Sequence, residues 1–265
     1  MERLRFATFL APTMLPVYQA VTDEVGRRLG VATELVVETH AEAWTIDRND
    51  VCFICGLPYV WFERRGIAPA VPVAAPVLEG ARYAGQPLYY SDVIVPSGSA
   101  ATSFLDLRGG SWACSEPLSH SGYGITRYHL VEIAQTHGFF GRVVETGSHA
   151  ESMRLVAEGA VDGAAIDSQV LAVATRDDPS LAHSLRAVDA LGPSTSPPVT
   201  VSKRLPATLR DEIRQAVTSL HEEALVRERL ALGLVGRFVA ADPSSYDDVR
   251  RMLAACEAAG FMQLR

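Results

Sequence analysis

The stretch CSEPLSHSGYG (residues 114–124) gathers groups that are suited to binding an anion. Four of its residues stand where a short apolar strand gives way to an amphipathic helix: Ser119, His120, Ser121 and Gly122. A helix N-terminus leaves backbone N–H groups unpaired and carries a partial positive charge. The serine and histidine side chains add donors, and glycine allows a ligand to approach the backbone closely. This helix-start cluster therefore suits phosphate-like oxygens, although serine is also a favoured N-cap that needs no ligand.

Two further candidates follow other predicted strands. His149, in TGSHAESMRLVAEG, falls in the first turn of a predicted helix, where Ser148 and Glu151 have the spacing of a capping box. A lone histidine at such a position is more often a surface residue than a ligand contact. Asp167, in VDGAAIDSQV, ends a strand of small residues. Ligands bind at the carboxyl ends of strands in open α/β sheets, and the alternative for this aspartate is a helix N-cap.

Three tyrosines are candidate aromatic contacts. Tyr59 follows the predicted strand in CFICGLPYVWFERRG and offers a phenol, and Tyr89 and Tyr90 begin the run YYSDVIV. Each tyrosine also has a packing alternative, and the pattern leaves open which of Tyr89 and Tyr90 faces a ligand. The helix-start cluster, His149, Asp167 and Tyr59 share one feature, because each follows a predicted strand.

Strands and helices alternate along the chain, which predicts an α/β protein with parallel sheets and helices on their faces. The predicted strands include LRFATFL, TELVVET, DVCFICG, YYSDVIV, SWACS, RVVETG and GAAID. Two segments, near Leu88–Val95 and Leu185–Thr200, are predicted to cross between lobes. The expected arrangement has lobe I formed by residues 1–88 and 192–265, lobe II formed by residues 89–191 and inserted in lobe I, and a ligand cleft between them.

Composition and charge exclude several classes of partner. The 265 residues are 48% hydrophobic and carry a formal net charge of -7 at pH 7, which argues against nucleic acid or an anionic membrane as the main partner. No apolar run reaches the about 20 residues needed to cross a bilayer. The beginning, MERLRFATFLAPTML, lacks the features of a signal peptide, so the expected location is cytoplasmic if the chain is complete. Cys52 and Cys55 point to opposite faces of a predicted strand, which favours apolar packing over a zinc site.

Four segments, in the same order along the chain, resemble the phosphate, phosphite and phosphonate substrate-binding proteins of ABC transporters. They are CGLPYV, YYSDVIV, SFLDLRGGSWACSEPLSHSGY and ETGSHAESMRLVAEGAVDGAAIDSQV. The similarity is densest from Tyr89 to Val170 and weak after Val201. The resemblance implies a two-lobe type II periplasmic-binding-protein fold, lobes that close over a ligand, and a periplasmic location.

The resemblance also implies roles for the candidate residues. The family's anion-binding Ser/Thr loop falls on the helix-start cluster, its anion-contacting histidine on His149 and its acidic residue on Asp167. The family's aromatic contacts fall on Tyr59 and on Tyr89 or Tyr90. This sequence departs from the family's pattern at two places that affect which ligand is expected. His120 takes the middle position of a loop that usually reads Ser-Thr-Ser, and the later loop LGPSTSPP lacks the carboxylate that amino-phosphonate binders carry.

The predicted function is capture of a small phosphorus oxyanion, of phosphonate, phosphite or phosphate type, by hinge closure, for ABC-type uptake or sensing. The expected partners are this ligand and a transporter permease, with no catalysis, metal or organic cofactor. Asp167 is expected to accept a hydrogen bond from a protonated ligand oxygen, which favours ligands with a P–OH group over sulfate. The alternative is a cytoplasmic enzyme of the same fold that acts on a small carboxylate, similar to the menaquinone-pathway dehydratases. In that alternative, acid and base groups come from His120, His149 and Asp167.

Overall fold

The computed structural model describes residues Arg3 to Leu264, and these form two compact units. The first unit contains the described residues up to Leu88 together with Thr195–Asp248. The second unit contains Tyr89–Ser194 and the segment that begins at Val249. The chain passes from one unit to the other at Leu88/Tyr89 and at Ser194/Thr195, within two strands that we call the crossing strands, and a third time at Asp248/Val249.

Strands and helices alternate through both units, as the sequence pattern predicts. The strands of the described residues are β1 (Arg3–Thr8), β2 (Ala32–Val37), β3 (Val51–Phe53), β4 (Ala70–Leu78), β5 (Leu88–Pro96), β6 (Ser111–Cys114), β7 (Arg142–Glu145), β8 (Gly163–Asp167), β9 (Leu185–Thr195), β10 (Val199–Ser202) and β11 (Val235–Ala240). The α-helices of the described residues are α1 (Leu15–Leu29), α2 (Gly56–Glu63), α3 (Ile125–Glu132), α4 (His149–Ala157), α5 (Ser168–Asp177), α6 (Pro179–Ser184), α7 (Ala207–Thr218), α8 (Ala224–Ala231) and α9 (Asp247–Ala258). The crossing strands are β5 and β9.

The first unit is built on a six-stranded mixed sheet in the order β11-β4-β10-β3-β1-β2. β1 pairs in parallel with β2 and β3, and β10 pairs antiparallel with β3 and β4. The apolar stripe of α1 is buried at Val17, Val21 and Val25. That helix ends at Gly30, which has a φ of 65°, because a left-handed residue at the end of a helix is most easily adopted by glycine.

The second unit is built on a five-stranded sheet in the order β7-β6-β8-β5-β9. β6 pairs in parallel with both β7 and β8, whereas β5 runs antiparallel to β8. Consequently the carboxyl ends of β6, β7 and β8 share one edge of the sheet with the beginning of β5. An aromatic core lies in this unit, where Trp112 stacks on Phe140 with 4.7 Å between the ring centroids.

The C-terminal segment differs from the sequence-based lobes, which assigned all of residues 192–265 to lobe I. From Val249 onward the chain belongs with the second unit. Polar contacts to the region of α3 explain this assignment: Arg127 Nη1 donates to the Met262 carbonyl at 2.9 Å, and the Leu264 N–H donates to the Tyr123 hydroxyl at 2.9 Å. The local pattern of α9 predicts a helix but carries no information about which unit that helix packs against.

Within residues 3–264, no helix combines the length and the apolar character that a membrane span requires. Over the same residues, no group of three or more His, Cys, Asp and Glu side chains could hold a metal ion. All four cysteines are free thiols; Cys52 and Cys114 are buried, and burial raises the pKa of the Cys114 thiol to about 12.

Candidate functional site

The helix-start cluster lies at the edge of the second sheet where β6 ends. The Ser119 Oγ accepts a hydrogen bond from the Gly122 N–H at 3.1 Å, so the N-cap alternative is confirmed for this serine. The helix begins as a π-helical turn, His120–Gly124, before α3 starts at Ile125. α3 then continues to Glu132.

Gly122 is needed for close packing within the cluster. A Cβ atom at this position would lie 2.5 Å from the Ser115 Oγ and 2.9 Å from the Ser119 Oγ. Both distances are shorter than van der Waals contact, so a larger residue would displace one of the serine side chains. This crowding is a reason for glycine in addition to the close approach of a ligand that the sequence suggests.

His149 joins two serines of this edge. Its Nε2 lies 3.0 Å from the Ser121 Oγ, and its Nδ1 lies 3.4 Å from the Ser115 Oγ. The residue occupies the first position of α4, whose N-cap is Ser148; the Ser148 Oγ accepts from the Glu151 N–H at 3.1 Å, as the capping-box spacing predicts for that half of the motif. The imidazole keeps some accessible surface, yet its surroundings desolvate it enough to lower its pKa to about 4. His149 is therefore a neutral hydrogen-bonding group at neutral pH.

Asp167 is both the last residue of β8 and the N-cap of α5. Its Oδ1 accepts from the N–H groups of Gln169 at 2.8 Å and Val170 at 3.3 Å, so the N-cap alternative is confirmed here as well. Burial raises the pKa of the Asp167 carboxyl to about 7, the two amide hydrogen bonds oppose this, and the nearby charge of Asp92 adds to it. The carboxyl is thus close to half-protonated at neutral pH, which lets it both donate and accept a hydrogen bond.

The three candidate tyrosines occupy different surroundings. Tyr89 is 1% exposed, with its ring centroid 6.4 Å from that of His120, whereas Tyr90 is partly exposed and donates its N–H to the Ser168 Oγ at 3.1 Å. Tyr59 lies in α2 of the first unit, where it is 1% exposed and donates its hydroxyl to Glu63 Oε1 at 3.2 Å. The second unit thus gathers the helix-start cluster, His149, Asp167, Tyr89 and Tyr90, while Tyr59 belongs to the first unit.

Three serines that were not among the predicted site residues support this edge. The Ser91 Oγ donates to the Ser121 carbonyl, the Ser115 Oγ contacts His149, and the Ser194 Oγ lies 2.9 Å from His120 Nε2. Ser91 is a polar residue inside the apolar run YYSDVIV, which is a signal that sequence reasoning could have used. Ser194 is 74 residues from His120 in sequence, and nothing local connects the two.

The donors at this edge are uncharged. Hydroxyl groups, a neutral imidazole and backbone N–H groups surround the start of a helix, together with one carboxyl group that titrates near neutral pH. Hydrogen bonds to an ionised acceptor are shorter and stronger than those between neutral groups, so this set of donors suits an oxyanion. The carboxyl group additionally suits an oxyanion that keeps a proton.

A family model described as "ABC transporter, phosphonate, periplasmic substrate-binding protein" matches residues 6–246 of this chain. The chain belongs to this family. The resemblance seen in the sequence is thereby confirmed, and so are the predictions of a binding function for phosphonate-type ligands and of a protein that is not an enzyme. The alternative of a dehydratase-like enzyme is not supported.

Solved structures show the same fold at low sequence identity. PhnD1 from Prochlorococcus marinus, solved in complex with methylphosphonate, matches with a TM-score of 0.84 at 16% identity, over 97% of this chain and 98% of that chain. A binding-protein component of an ABC phosphonate transporter from Pseudomonas aeruginosa matches with a TM-score of 0.81 at 17% identity, over 95% and 85% of the two chains. The periplasmic aliphatic sulphonate binding protein SsuA from Escherichia coli matches with a TM-score of 0.65 at 12% identity, over 98% and 88%. The predicted type II periplasmic-binding-protein fold, with two lobes, is confirmed.

Proposed function

We propose that this chain captures a small phosphonate-type oxyanion at the helix-start cluster, His149 and Asp167, and delivers it to an ABC transporter permease. The observation that carries the proposal is the chain of hydrogen bonds from Ser115 through His149 to Ser121. Hinge closure around the ligand, which the resemblance to the family implies, completes the proposed mechanism. Tyr59 and either Tyr89 or Tyr90 are the proposed aromatic contacts to the ligand's substituent.

The direction of the hydrogen bonds from Ser115 through His149 to Ser121 determines whether the Ser121 hydroxyl can donate to a ligand. Because the imidazole is neutral, one ring nitrogen carries a proton and donates a hydrogen bond, and the other accepts a hydrogen bond. If the Ser115 hydroxyl donates to Nδ1, then Nε2–H donates to the Ser121 Oγ, and the Ser121 hydroxyl proton is left to point at a ligand oxygen. In this tautomer His149 polarises the hydroxyl that binds the anion, and no cation is required.

Backbone N–H groups supply the remaining donors. In the turn from His120 to Gly124, the N–H groups of Gly122 and Gly124 already donate to Ser119, so the N–H groups of Ser121 and Tyr123 are the proposed backbone donors to the anion. They lie at the beginning of a helix, where the helix dipole favours negative charge. Methylphosphonate, which PhnD1 binds, carries three oxygens that fit such a set of donors.

Asp167 provides discrimination among tetrahedral anions. A carboxyl group with a pKa of about 7 can accept a hydrogen bond from a P–OH group when it is ionised. A sulfate ion brings no such proton at neutral pH, so it places an acceptor against an acceptor whenever the Asp167 carboxyl group is ionised. Leaving a buried polar group without its hydrogen bond costs about 1–3 kcal/mol, which corresponds to a preference of roughly 5- to 150-fold.

Isothermal titration of refolded protein against phosphate, phosphite, methylphosphonate, 2-aminoethylphosphonate and sulfate tests the proposal. We expect micromolar binding of one phosphorus oxyanion and weaker binding of sulfate. Ser121→Ala and His149→Ala should each weaken binding about 10-fold or more, since a hydrogen bond to a charged group contributes about 1.5–3 kcal/mol. His137→Ala, which changes an exposed histidine of the same unit, is the matched control and should bind like the wild type. Equal affinity for sulfate, or full affinity in both site variants, would contradict the proposal.

The permease partner needs a separate test. If an ABC transporter is encoded beside this protein, ligand-loaded protein should stimulate the ATPase activity of that transporter in vesicles, and ligand-free protein should stimulate it less. Pathway enzymes in place of a permease in the gene neighbourhood would argue against a role in transport.

A further inference from the structure

His120 contacts both crossing strands where they leave the second unit. Tyr89 is the first residue of that unit, and Ser194 is its last residue before the chain returns to the first unit. The Nε2 of His120 lies 2.9 Å from the Ser194 Oγ, and its ring centroid lies 6.4 Å from that of Tyr89. β5 and β9 are neighbours in the sheet, so one imidazole lies against the adjoining ends of both strands.

This contact is buried and has little room to rearrange. Tyr89, His120 and Ser194 are each 1% exposed. In such surroundings a hydrogen bond that is lost cannot be replaced by one to water, so its loss carries the full desolvation cost of the remaining group. The side chain of His120 is therefore held in one orientation relative to the crossing strands.

The next residue of the helix-start cluster is tied to the same strands. The Ser121 carbonyl accepts from the Ser91 Oγ, two residues along β5 from Tyr89. β5 thus fixes the backbone of Ser121, and β9 fixes the side chain of His120. Between these two attachments lies the peptide group that sets the direction of the Ser121 hydroxyl and of the following N–H groups.

We propose that His120 is a positioning residue, which ties the helix-start cluster to the ends of both crossing strands through Ser194 and Tyr89. The inference rests on the proposed function, because the cluster it positions is the proposed anion site. A histidine suits this role better than the smaller hydroxyl residue usual at this loop position, because its ring extends from the helix start to both strands. Anion binding at Ser121 and the geometry of the crossing strands are then coupled through one side chain.

Hydrogen–deuterium exchange on the ligand-free protein tests the positioning role without any ligand. Ser194→Ala removes the hydroxyl that holds His120, and the exchange of the Gly122 and Gly124 amides should become about 5- to 10-fold faster, the expected effect of losing one hydrogen bond. Ser196→Ala is the matched control. Ser196 is also 1% exposed, and its Oγ has no hydrogen-bond partner among the described residues, so this change should leave the exchange of both amides as in the wild type. Equal exchange in the two variants would overturn the proposal.

A double-mutant cycle distinguishes positioning from a general loss of stability. His120→Ala should accelerate the same amides, and adding Ser194→Ala should produce almost no further acceleration, because both changes break one contact. Additive effects would overturn the proposal. Ser194→Ala should also raise the Kd for methylphosphonate about 3- to 10-fold, while Ser196→Ala leaves it unchanged; an unchanged Kd in both variants would likewise refute the coupling. If the wild-type protein binds no phosphorus oxyanion, the proposed function fails, and the amide exchange still decides whether His120 holds the cluster.

Discussion

Replacing Asp167 by asparagine isolates this buried carboxyl group as a source of pH-dependent stability. The residue is 9% exposed, and burial raises its pKa from the ordinary value of 3.8 to about 7. The Oδ1 atom of asparagine can accept the same two hydrogen bonds, from the N–H groups of Gln169 and Val170, without ever becoming charged. The substitution therefore keeps the helix cap and removes the titration.

The sign and size of the effect follow from linkage. Between pH 3.8 and about 7 the folded chain holds a proton on Asp167 that the unfolded chain has lost, so the wild-type free energy of unfolding falls as pH rises. The interval is roughly three pKa units at about 1.36 kcal/mol each, or about 4 kcal/mol in total. About 2.5 kcal/mol of this accrues between pH 5 and pH 8. We expect Asp167→Asn to gain about that much stability relative to the wild type across this range.

His149 titrates in the opposite sense and does not obscure the comparison. Burial lowers its pKa from 6.5 to about 4, so its contribution to stability is present above pH 6.5 and is lost as pH falls toward 4. The wild type and Asp167→Asn share this contribution, and it cancels when their free energies of unfolding are subtracted at each pH.

Urea unfolding at several pH values, followed by tryptophan fluorescence, measures the difference. Trp112 is fully buried in the second unit and reports on the part of the chain that contains Asp167. Asp178→Asn is the matched control, because Asp178 Oδ1 caps α6 with hydrogen bonds of 2.9 and 3.2 Å but is exposed. The hydrogen bond from the Ser180 hydroxyl, together with the bonds from the Leu181 and Ser180 N–H groups, lowers the pKa of the Asp178 carboxyl. Its difference from the wild type should stay flat between pH 5 and pH 8. A flat difference for Asp167→Asn as well would refute the assignment of a raised pKa to Asp167.

Two further substitutions test packing around the site. Gly122→Ala places a Cβ atom 2.5 Å from the Ser115 Oγ, and we expect a loss of about 1–3 kcal/mol, seen as a lower Tm in a thermal melt; an unchanged Tm would contradict the crowding at this turn. Tyr123→Phe removes the acceptor for the Leu264 N–H, so a buried donor is left unpaired at a cost of about 1–3 kcal/mol. The Leu264 amide should then exchange faster, and exchange at the wild-type rate would show that the C-terminal segment is held in another way.

Local patterns predicted most of the fold because they report on the elements that carry them. The stripe of apolar residues on α1 and the glycine that ends it are visible within a window of 16 residues, Leu15 to Gly30. The segment from Val249 onward shows the limit of this reasoning, because its packing against the region of α3 depends on Arg127 and Tyr123, more than 100 residues earlier. An amphipathic pattern identifies a buried face and says nothing about the surface that buries it.

The positions of candidate site residues could be predicted where a residue with suitable chemistry directly follows a strand. His149 and Asp167 each follow a strand of one sheet and begin or cap a helix, so their places could be inferred from alternation alone. The capping alternatives were confirmed together with a chemistry that capping does not explain, namely a neutral imidazole between two serines and a carboxyl group that titrates near pH 7. Those properties come from burial, which a sequence pattern does not express.

Ser91 and Ser194 were not predicted as hydrogen-bond partners of the helix-start cluster, and the physical reason is the same for both. β6, β7 and β8 are parallel, so the residues that follow these strands reach the same edge of the sheet. β5 runs the other way against β8, and its first residues therefore lie at that same edge, where Ser91 is paired in register with Asp167. Ser194 arrives there at the end of β9, the neighbour of β5. Ser91 and Ser194, which hydrogen-bond to the helix-start cluster, thus both come from the crossing strands. Only the order of the strands in the sheet brings them next to that cluster.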